Sequence, residues 1–365
     1  MMLRPPDHIR EIRPYEPGKP IEEVERELGL RDTVKLASNE NPLGPSPQAV
    51  AALREALPGL HRYPDGAGFY LRNALAAHCR VPPDHVILGN GSTELVELLA
   101  RTYLGAEGNA VLSEGAFIMY RIAVMAVNGN VRSVPLRQGT HDLEAMGDAI
   151  DASTRLIFIA NPNNPTGTFV GRDAMDRLIE RTPDSALVVV DEAYREYVEG
   201  FEPDYPDLLA RLRQGGRVLV LRTFSKAYGL AGLRIGYGLG PAAILHDLER
   251  VRSPFNTSSL SQIAALAALD DREHVERSRQ ANRQGLQRLQ EGFRELGLDY
   301  LPSVANFVLV EAPWPAREAF QKLLREGIIV RPMDAYGFAR GLRVSVGTAS
   351  ENDRVLGAFR KLLAT

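Results

Sequence analysis

Seven short apolar runs, several without polar alternation, constrain this chain more than any other feature of its sequence. They are Val86-Ile87-Leu88, Ala110-Val111-Leu112, Val131 to Leu136, Leu156-Ile157-Phe158-Ile159-Ala160, Ala186-Leu187-Val188-Val189-Val190, Val218-Leu219-Val220-Leu221 and Ile235 to Leu239. A half-buried strand alternates apolar with polar residues, whereas a run without alternation must be covered on both faces. Helical stretches separate the runs, so the fold class read here is α/β: a large α/β/α unit with a mostly parallel sheet.

The pattern changes near Ser261, after the loop around Pro254-Phe255-Asn256-Thr257. Leu286, Leu289, Phe293 and Leu296 recur at steps of three and four, one apolar helical face that stops before Gly297. Short strands at Asn306–Val310, Ile328–Arg331 and Gly341–Val346 then alternate with a helix over Pro315–Arg325, which reads as a small α+β unit. Upstream, residues 1 to 35 are rich in proline and charge, with a helix predicted over Ile21–Leu28 before Gly29. The expected division is an arm at 1–35 packing on the small domain or on a partner, a large domain at 36–260 and a small one at 261–365. A chain of 365 residues is long for a single core, which favours such a division.

Composition excludes several classes of function. With 43 basic and 46 acidic residues and no long run of one sign, nucleic acid is not expected as the principal ligand. A single cysteine, Cys79, excludes an intrachain disulfide and a cysteine-rich metal site, and no metal is expected. No uncharged apolar run could span a bilayer, and Met1 to Asp7 carry no apolar signal core, so cytoplasmic residence is expected.

Chemistry concentrates just after three of the apolar runs, in Asn161-Pro162-Asn163-Asn164-Pro165-Thr166-Gly167, Asp191-Glu192-Ala193-Tyr194 and Thr223-Phe224-Ser225-Lys226. Asp191 follows Asn164 by 27 residues and Lys226 follows Asp191 by 35, each interval sufficient for a helix and a return strand. Their side chains can therefore meet at the carboxyl ends of neighbouring strands, where open α/β sheets bind ligands. Alone, Lys226 would read as a solvated charge and Asn164 as a turn residue before Pro165. Asp191 ends an apolar strand, where a carboxylate needs a cationic or hydrogen-bonding partner. Gly89-Asn90-Gly91-Ser92-Thr93-Glu94 leads from a strand into a helix. Gly91, Ser92 and Thr93 could present amides to a phosphate, or the segment could be only an N-cap with Glu94 in the first turn. Its glycine spacing does not fit a dinucleotide fingerprint.

Taken together, these segments resemble the core of the fold-type I aminotransferases, which use pyridoxal 5'-phosphate (PLP). The resemblance implies that Lys226 binds the cofactor and moves the substrate Cα proton, that Asp191 pairs with the ring nitrogen, and that Asn164 and Tyr194 donate to the ring oxygen. Gly91, Ser92, Thr93, Ser225 and Arg234 would hold the phosphate. Across nearly its whole length the chain is further similar to the histidinol-phosphate aminotransferase family. The shared segments include Tyr15-Glu16-Pro17-Gly18-Lys19, Ser38-Asn39-Glu40-Asn41-Pro42, Arg62-Tyr63-Pro64-Asp65-Gly66 and Leu342-Arg343-Val344-Ser345-Val346-Gly347-Thr348. That family is homodimeric, with shared active sites, and converts histidinol phosphate and 2-oxoglutarate to imidazole-acetol phosphate and glutamate. By this resemblance Arg343 holds the substrate carboxylate, Arg331 the substrate phosphate, and Tyr63 reaches the neighbouring subunit's cofactor. Tyr15 and Tyr120 line the substrate pocket, and Asn39 stands at its mouth. Phe117 takes the place of a ring-stacking tyrosine, and Ala335 stands where relatives often carry glycine. Aromatic aminotransferases, a PLP-dependent decarboxylase of threonine phosphate and a catalytically silent PLP-fold protein are the alternatives.

Overall fold

Alternate residues of the central strands feed two different cores. In the computed structural model, which describes residues 3–198, 200 and 204–364, Ile157, Ile159, Val188, Val190, Val218 and Val220 pack into one cluster. Leu156, Phe158, Leu187, Val189, Leu219 and Leu221 pack into another on the opposite face. Period-two geometry sends neighbours to opposite faces, so a strand covered by helices on both sides must be apolar at every position. Each such side chain contributes about 1.5–3 kcal/mol through burial.

These strands belong to a sheet formed by β1 (Val86–Gly89), β2 (Asn109–Ser113), β3 (Asn130–Val134), β4 (Thr154–Ala160), β5 (Leu187–Asp191), β6 (Val218–Thr223) and β7 (Gly236–Leu239). The order across the sheet is β1-β7-β6-β5-β4-β2-β3. All pairings are parallel except the two made by β7, which is antiparallel to β1 and β6. The carboxyl ends of six strands therefore share one edge, and β7 starts there. Asn164, Asp191 and Lys226 all lie at or just beyond that edge.

A second sheet comprises β8 (Tyr300–Leu301), β9 (Phe307–Glu311), β10 (Arg331–Pro332) and β11 (Gly341–Ser345), antiparallel throughout in the order β10-β11-β9-β8. It has its own core, to which Leu289 and Phe293 of the helix Arg272–Glu295 contribute. The run predicted as one strand over 328–331 is divided. Ile328–Ile329 pairs in parallel with Val34–Lys35, and only Arg331–Pro332 joins the small sheet. Pro332 has no N–H to give a ladder and accordingly lies at the sheet edge. The helix Ile21–Leu28 ends at Gly29 as expected and contributes Val24 to a cluster with Leu324 and Ile329, so the arm packs on the small sheet's surroundings. By contrast, the helix Ser259–Asp270, which straddles the expected boundary at 261, sends Ala264, Ala265, Ala268 and Leu269 into the large sheet's core.

The loop carrying Lys226 closes through Gly229, whose φ is +71° and where a Cβ would stand 2.1 Å from the Gly44 carbonyl oxygen. Gly232, three residues on, has open space around it. Gly229→Ala should cost about 2–4 kcal/mol of unfolding free energy, whereas Gly232→Ala should change it by less than about 0.5 kcal/mol. Urea titration of the two variants against the wild type measures this.

Candidate active site

Residues from widely separated parts of the chain wall a cavity of about 250 Å³ at the strand edge. Its walls include Ser92 and Thr93, Phe117 and Tyr120, Asn164, Asp191 and Tyr194, Ser225, Lys226 and Arg234, and finally Tyr336 and Arg343. The N-terminal segment adds Tyr15, Ser38, Asn39 and Glu40.

At one end stands the N-terminus of the helix Gly91–Tyr103, whose Asn90 N-cap makes no side-chain cap hydrogen bond. The first-turn amides thus lack the side-chain cap that would compete with an anion. Gly91 has φ of +72°, and a Cβ there would come within 2.6 Å of the Arg234 guanidinium. Glycine lets Arg234 lie against the helix start. Arg234 also donates to Ser225 Oγ at 3.4 Å, and Thr223 Oγ1 donates to the same oxygen at 2.9 Å. The hydroxyls of Ser92, Thr93 and Ser225, the uncapped amides and a guanidinium form a donor set suited to a phosphate.

Asp191 ends β5 and is buried. Tyr120 Oη donates to its Oδ2 at 3.0 Å and the Ala193 N–H to its Oδ1 at 3.1 Å. Burial nevertheless pushes the carboxyl up to about 6, outweighing those two bonds. A cationic ring nitrogen is the partner such a group lacks. Half-buried Lys226 donates to the Ser38 carbonyl at 3.2 Å. Desolvation, with Arg343 and Arg234 adding positive charge, pushes its amine down to about 7. Nearly half of it is then neutral at neutral pH, the form a nucleophile or a base requires.

Asn164 Oδ1 accepts from Arg343 Nη1 at 2.5 Å, leaving its amide nitrogen as the group able to donate elsewhere. Arg343 Nη2 donates to the Ala37 carbonyl at 2.7 Å, and its Nε is buried without a hydrogen-bond partner. Tyr194 Oη accepts from Asn39 Nδ2 at 2.9 Å, and burial pushes the phenol up to about 12. The donor set at the helix start, the Asp191 carboxylate without a cationic partner and the Lys226 amine fit a phosphorylated cofactor with a ring nitrogen and an aldehyde, such as PLP.

Some expected residues take different positions. Tyr120 lines the cavity, but its hydroxyl is turned to Asp191 and its ring stacks on Phe158 at 5.1 Å, so it supports the carboxylate where a substrate contact was expected. Asn39 lines the cavity but is almost fully buried, and its side-chain amide is committed to Tyr194 and Ser345. Arg331 lies in an adjoining groove, with its guanidinium 5.1 Å from the Tyr15 ring centroid and donating to the Glu16 carbonyl. Tyr15 and Tyr336 wall both spaces. Tyr63 is 83% exposed and stacks on Phe255 at 4.8 Å, away from this chain's cavity. Phe117 faces the cavity as expected. Sequence reading missed Tyr336 and Thr223; both lie within segments read for other residues, and only the fold turns them inward.

Residues 31–359 match the family described as aminotransferase class I and II. The chain is 54% identical over 358 residues to histidinol-phosphate aminotransferase 2 of Pseudomonas fluorescens, covering 98% of this chain and 96% of that one. It is 49% identical over 357 residues to the histidinol-phosphate aminotransferase of Moorella thermoacetica, covering 98% and 92%. The solved structure of histidinol-phosphate aminotransferase from Sinorhizobium meliloti in complex with pyridoxal-5'-phosphate matches with a TM-score of 0.91 at 29% identity, over 100% of this chain and 98% of that chain.

The raised Asp191 value has a thermodynamic consequence in the cofactor-free protein. Between the ordinary carboxyl value and about 6 the folded state holds a proton that the unfolded state has released. This contribution to stability is complete at low pH and is lost as pH rises through about 6. Relative to wild type, Asp191→Asn should therefore gain about 2–3 kcal/mol between pH 4 and 7. Denaturant titrations of both apoproteins across that range would show it, and a pH-independent difference would refute it.

Proposed function

Because the chain belongs to the aminotransferase class I and II family, we propose that it transfers the amino group of histidinol phosphate to 2-oxoglutarate, giving imidazole-acetol phosphate and glutamate in histidine biosynthesis. It is a PLP-dependent aminotransferase of the fold-type I architecture. The observation that carries the reading is the meeting, in one cavity, of a lowered lysine amine, a raised aspartate carboxyl and an uncapped helix start flanked by Arg234.

Lys226 would hold the cofactor's aldehyde carbon and Asp191 its ring nitrogen. Asn164 and Tyr194 would face the ring oxygen, Phe117 the ring, and Gly91, Ser92, Thr93, Ser225 and Arg234 the phosphate. Bound PLP supplies a carbonyl that takes up the amino group and a protonated ring that withdraws electrons from the substrate Cα. Lys226, poised near neutrality, would take the proton from the substrate Cα and deliver it to the cofactor's aldehyde carbon within one half-reaction, and would run the same transfer in reverse in the other. Beside a protonated ring nitrogen Asp191 would hold its charge, aided by the Tyr120 and Ala193 bonds. Arg343 supplies a planar fork for a carboxylate and Arg331 a second cation at the outer groove, joined by Tyr15 and Tyr336.

The pathway substrate has a phosphate and no α-carboxylate, whereas glutamate has two carboxylates, so one site must read both anions. The expected kcat/KM is higher for histidinol phosphate than for phenylalanine or tyrosine, each with 2-oxoglutarate. Arg331→Ala should reduce it about 10- to 100-fold for histidinol phosphate and little for phenylalanine. Equal turnover of phenylalanine by the wild type would point to an aromatic aminotransferase, and CO2 release without amino transfer to a decarboxylase. Borohydride reduction of the holoprotein should place the cofactor's mass on the Lys226 peptide.

The reading includes a homodimer in the cytoplasm, where glutamate is at hand. Leu57, Leu60, Tyr63, Phe69, Tyr70 and Phe255 are exposed, and an apolar surface of this kind suits a second copy. Tyr63 would there reach the partner's phosphate site, with the 1–35 arm lying on the small domain or the partner. A large domain over 36–260 and a small one over 261–365 complete the reading, except that packing favours counting the helix Ser259–Asp270 with the large domain. Mixing inactive Tyr63→Ala and Lys226→Ala proteins should restore activity through hybrid dimers. Subunit exchange without restored activity would deny Tyr63 a role across the interface.

A further inference from the structure

Asn39 has a left-handed backbone, with φ of 55°, a conformation that asparagine tolerates better than most residues. All four of its polar groups are engaged. Its N–H donates to Ser345 Oγ at 2.9 Å, its Oδ1 accepts from the same hydroxyl at 2.9 Å, its Nδ2 donates to Tyr194 Oη at 2.9 Å, and its carbonyl accepts from Asn306 Nδ2 at 3.0 Å. Asn39, Ser345 and Asn306 are all buried.

The direction of these bonds follows from what each group can do. A backbone N–H only donates, so Ser345 Oγ accepts there and gives its own proton to Oδ1 of Asn39. With its oxygen facing Ser345, the amide must present its NH2 to Tyr194. Turning the amide over would strand the buried Ser345 proton against an NH2, a loss of about 1–3 kcal/mol. Tyr194 Oη therefore accepts, and its own proton is free for the cavity that the tyrosine lines.

We propose that Asn39, oriented by Ser345, is a positioning residue that directs the Tyr194 hydroxyl proton into the cofactor cavity. The inference deepens the function proposed above and rests on it, since it gives Tyr194 a donor's role toward the ring oxygen. The relay joins Ser345 of β11 in the small sheet to Tyr194, in the loop just after β5 of the large one, so the two sheets must be seated together before the tyrosine is set.

Asn39→Asp keeps the side chain's shape and its tolerance of left-handed backbone, but it replaces the donor by an acceptor. Tyr194 would then donate to residue 39. Two readouts on the PLP-loaded protein test this: the cofactor's dissociation constant and the pH midpoint of its visible absorbance change. Asn39→Asp should weaken PLP binding about tenfold and raise the midpoint by about one unit. In a Tyr194→Phe background the same substitution should move neither. Ser345→Ala, which removes one buried hydroxyl, should shift both in the same direction by less, and decides the matter alone if Asn39→Asp does not fold. Shifts of equal size with and without the Tyr194 hydroxyl would overturn the inference. So would folded Asn39→Asp and Ser345→Ala proteins that behave as wild type. A wild type that binds no PLP would instead sink the cofactor reading, and this inference with it.

Discussion

A buried acid and a half-buried base stand at one sheet edge without being bonded to charged partners, and the site is organised around that fact. Asp191 is held by a phenol and a backbone amide, Lys226 by a backbone carbonyl. Burial dominates both shifts, raising the acid and lowering the base toward each other near neutrality. Neutral hydrogen bonds soften the cost of desolvating a charge but do not cancel it. A ligand that brings a cation to the carboxylate and a carbonyl carbon to the amine relieves both at once. The adjacent Glu192 makes the contrast plain. It is equally buried, yet Arg222 binds its Oε2 with two nitrogens at 2.7 and 2.9 Å. Consecutive residues at a strand end face opposite sides, so one acid is structural and saturated while its neighbour is left open.

The large sheet was legible in sequence because its requirement is local. Leu187–Val190 of β5 and Val218–Leu221 of β6 must all be apolar to fill two cores, and that leaves a run no amphipathic element would show. What could not be read depends on pairing between distant segments. Nothing within Ile328–Arg331 announces that two of its residues take Val34–Lys35 as partner while Arg331 turns to β11. Nor does the helix Ser259–Asp270 carry a signal of which sheet it covers, because an alanine-rich face suits either core.

The same division runs through the site. Lys226, Asp191, Asn164, Ser92 and Thr93 each follow a strand that could be recognised, and their order along the chain delivers them to a common edge. Residues from elsewhere were found by resemblance alone, and there geometry altered their roles. Asn39 and Ser345 are 306 positions apart, and nothing in either segment reveals that one hydroxyl both accepts from and donates to the same asparagine. Tyr120 lines the cavity, but the direction of its hydroxyl depends on a packing partner that no sequence pattern names. Its ring packs flat against Phe158, which aims the hydroxyl at Asp191 and away from a substrate.

The two arginines are not equivalent, and their difference bears on how one site reads two anions. Arg343 is buried and already spends two nitrogens on Asn164 and the Ala37 carbonyl, with only Nε unmatched. On the proposed function an incoming carboxylate would share or replace those bonds, which would couple binding there to Asn164 and through it to the cofactor's ring oxygen. Arg331 is held by the Glu16 carbonyl and by the face of Tyr15, in a groove whose other charged groups include Glu16, Arg317 and Asp334. Arg317 in turn pairs with both Glu16 and Asp334. An anion arriving at Arg331 therefore competes with one carbonyl at a half-exposed site, a far smaller cost than at Arg343. On the proposed function, the inner arginine senses whether the reacting end carries a carboxylate. The outer one sets which distal group is welcome, and Tyr15 and Tyr336, which wall both spaces, fix the length of substrate that can touch both.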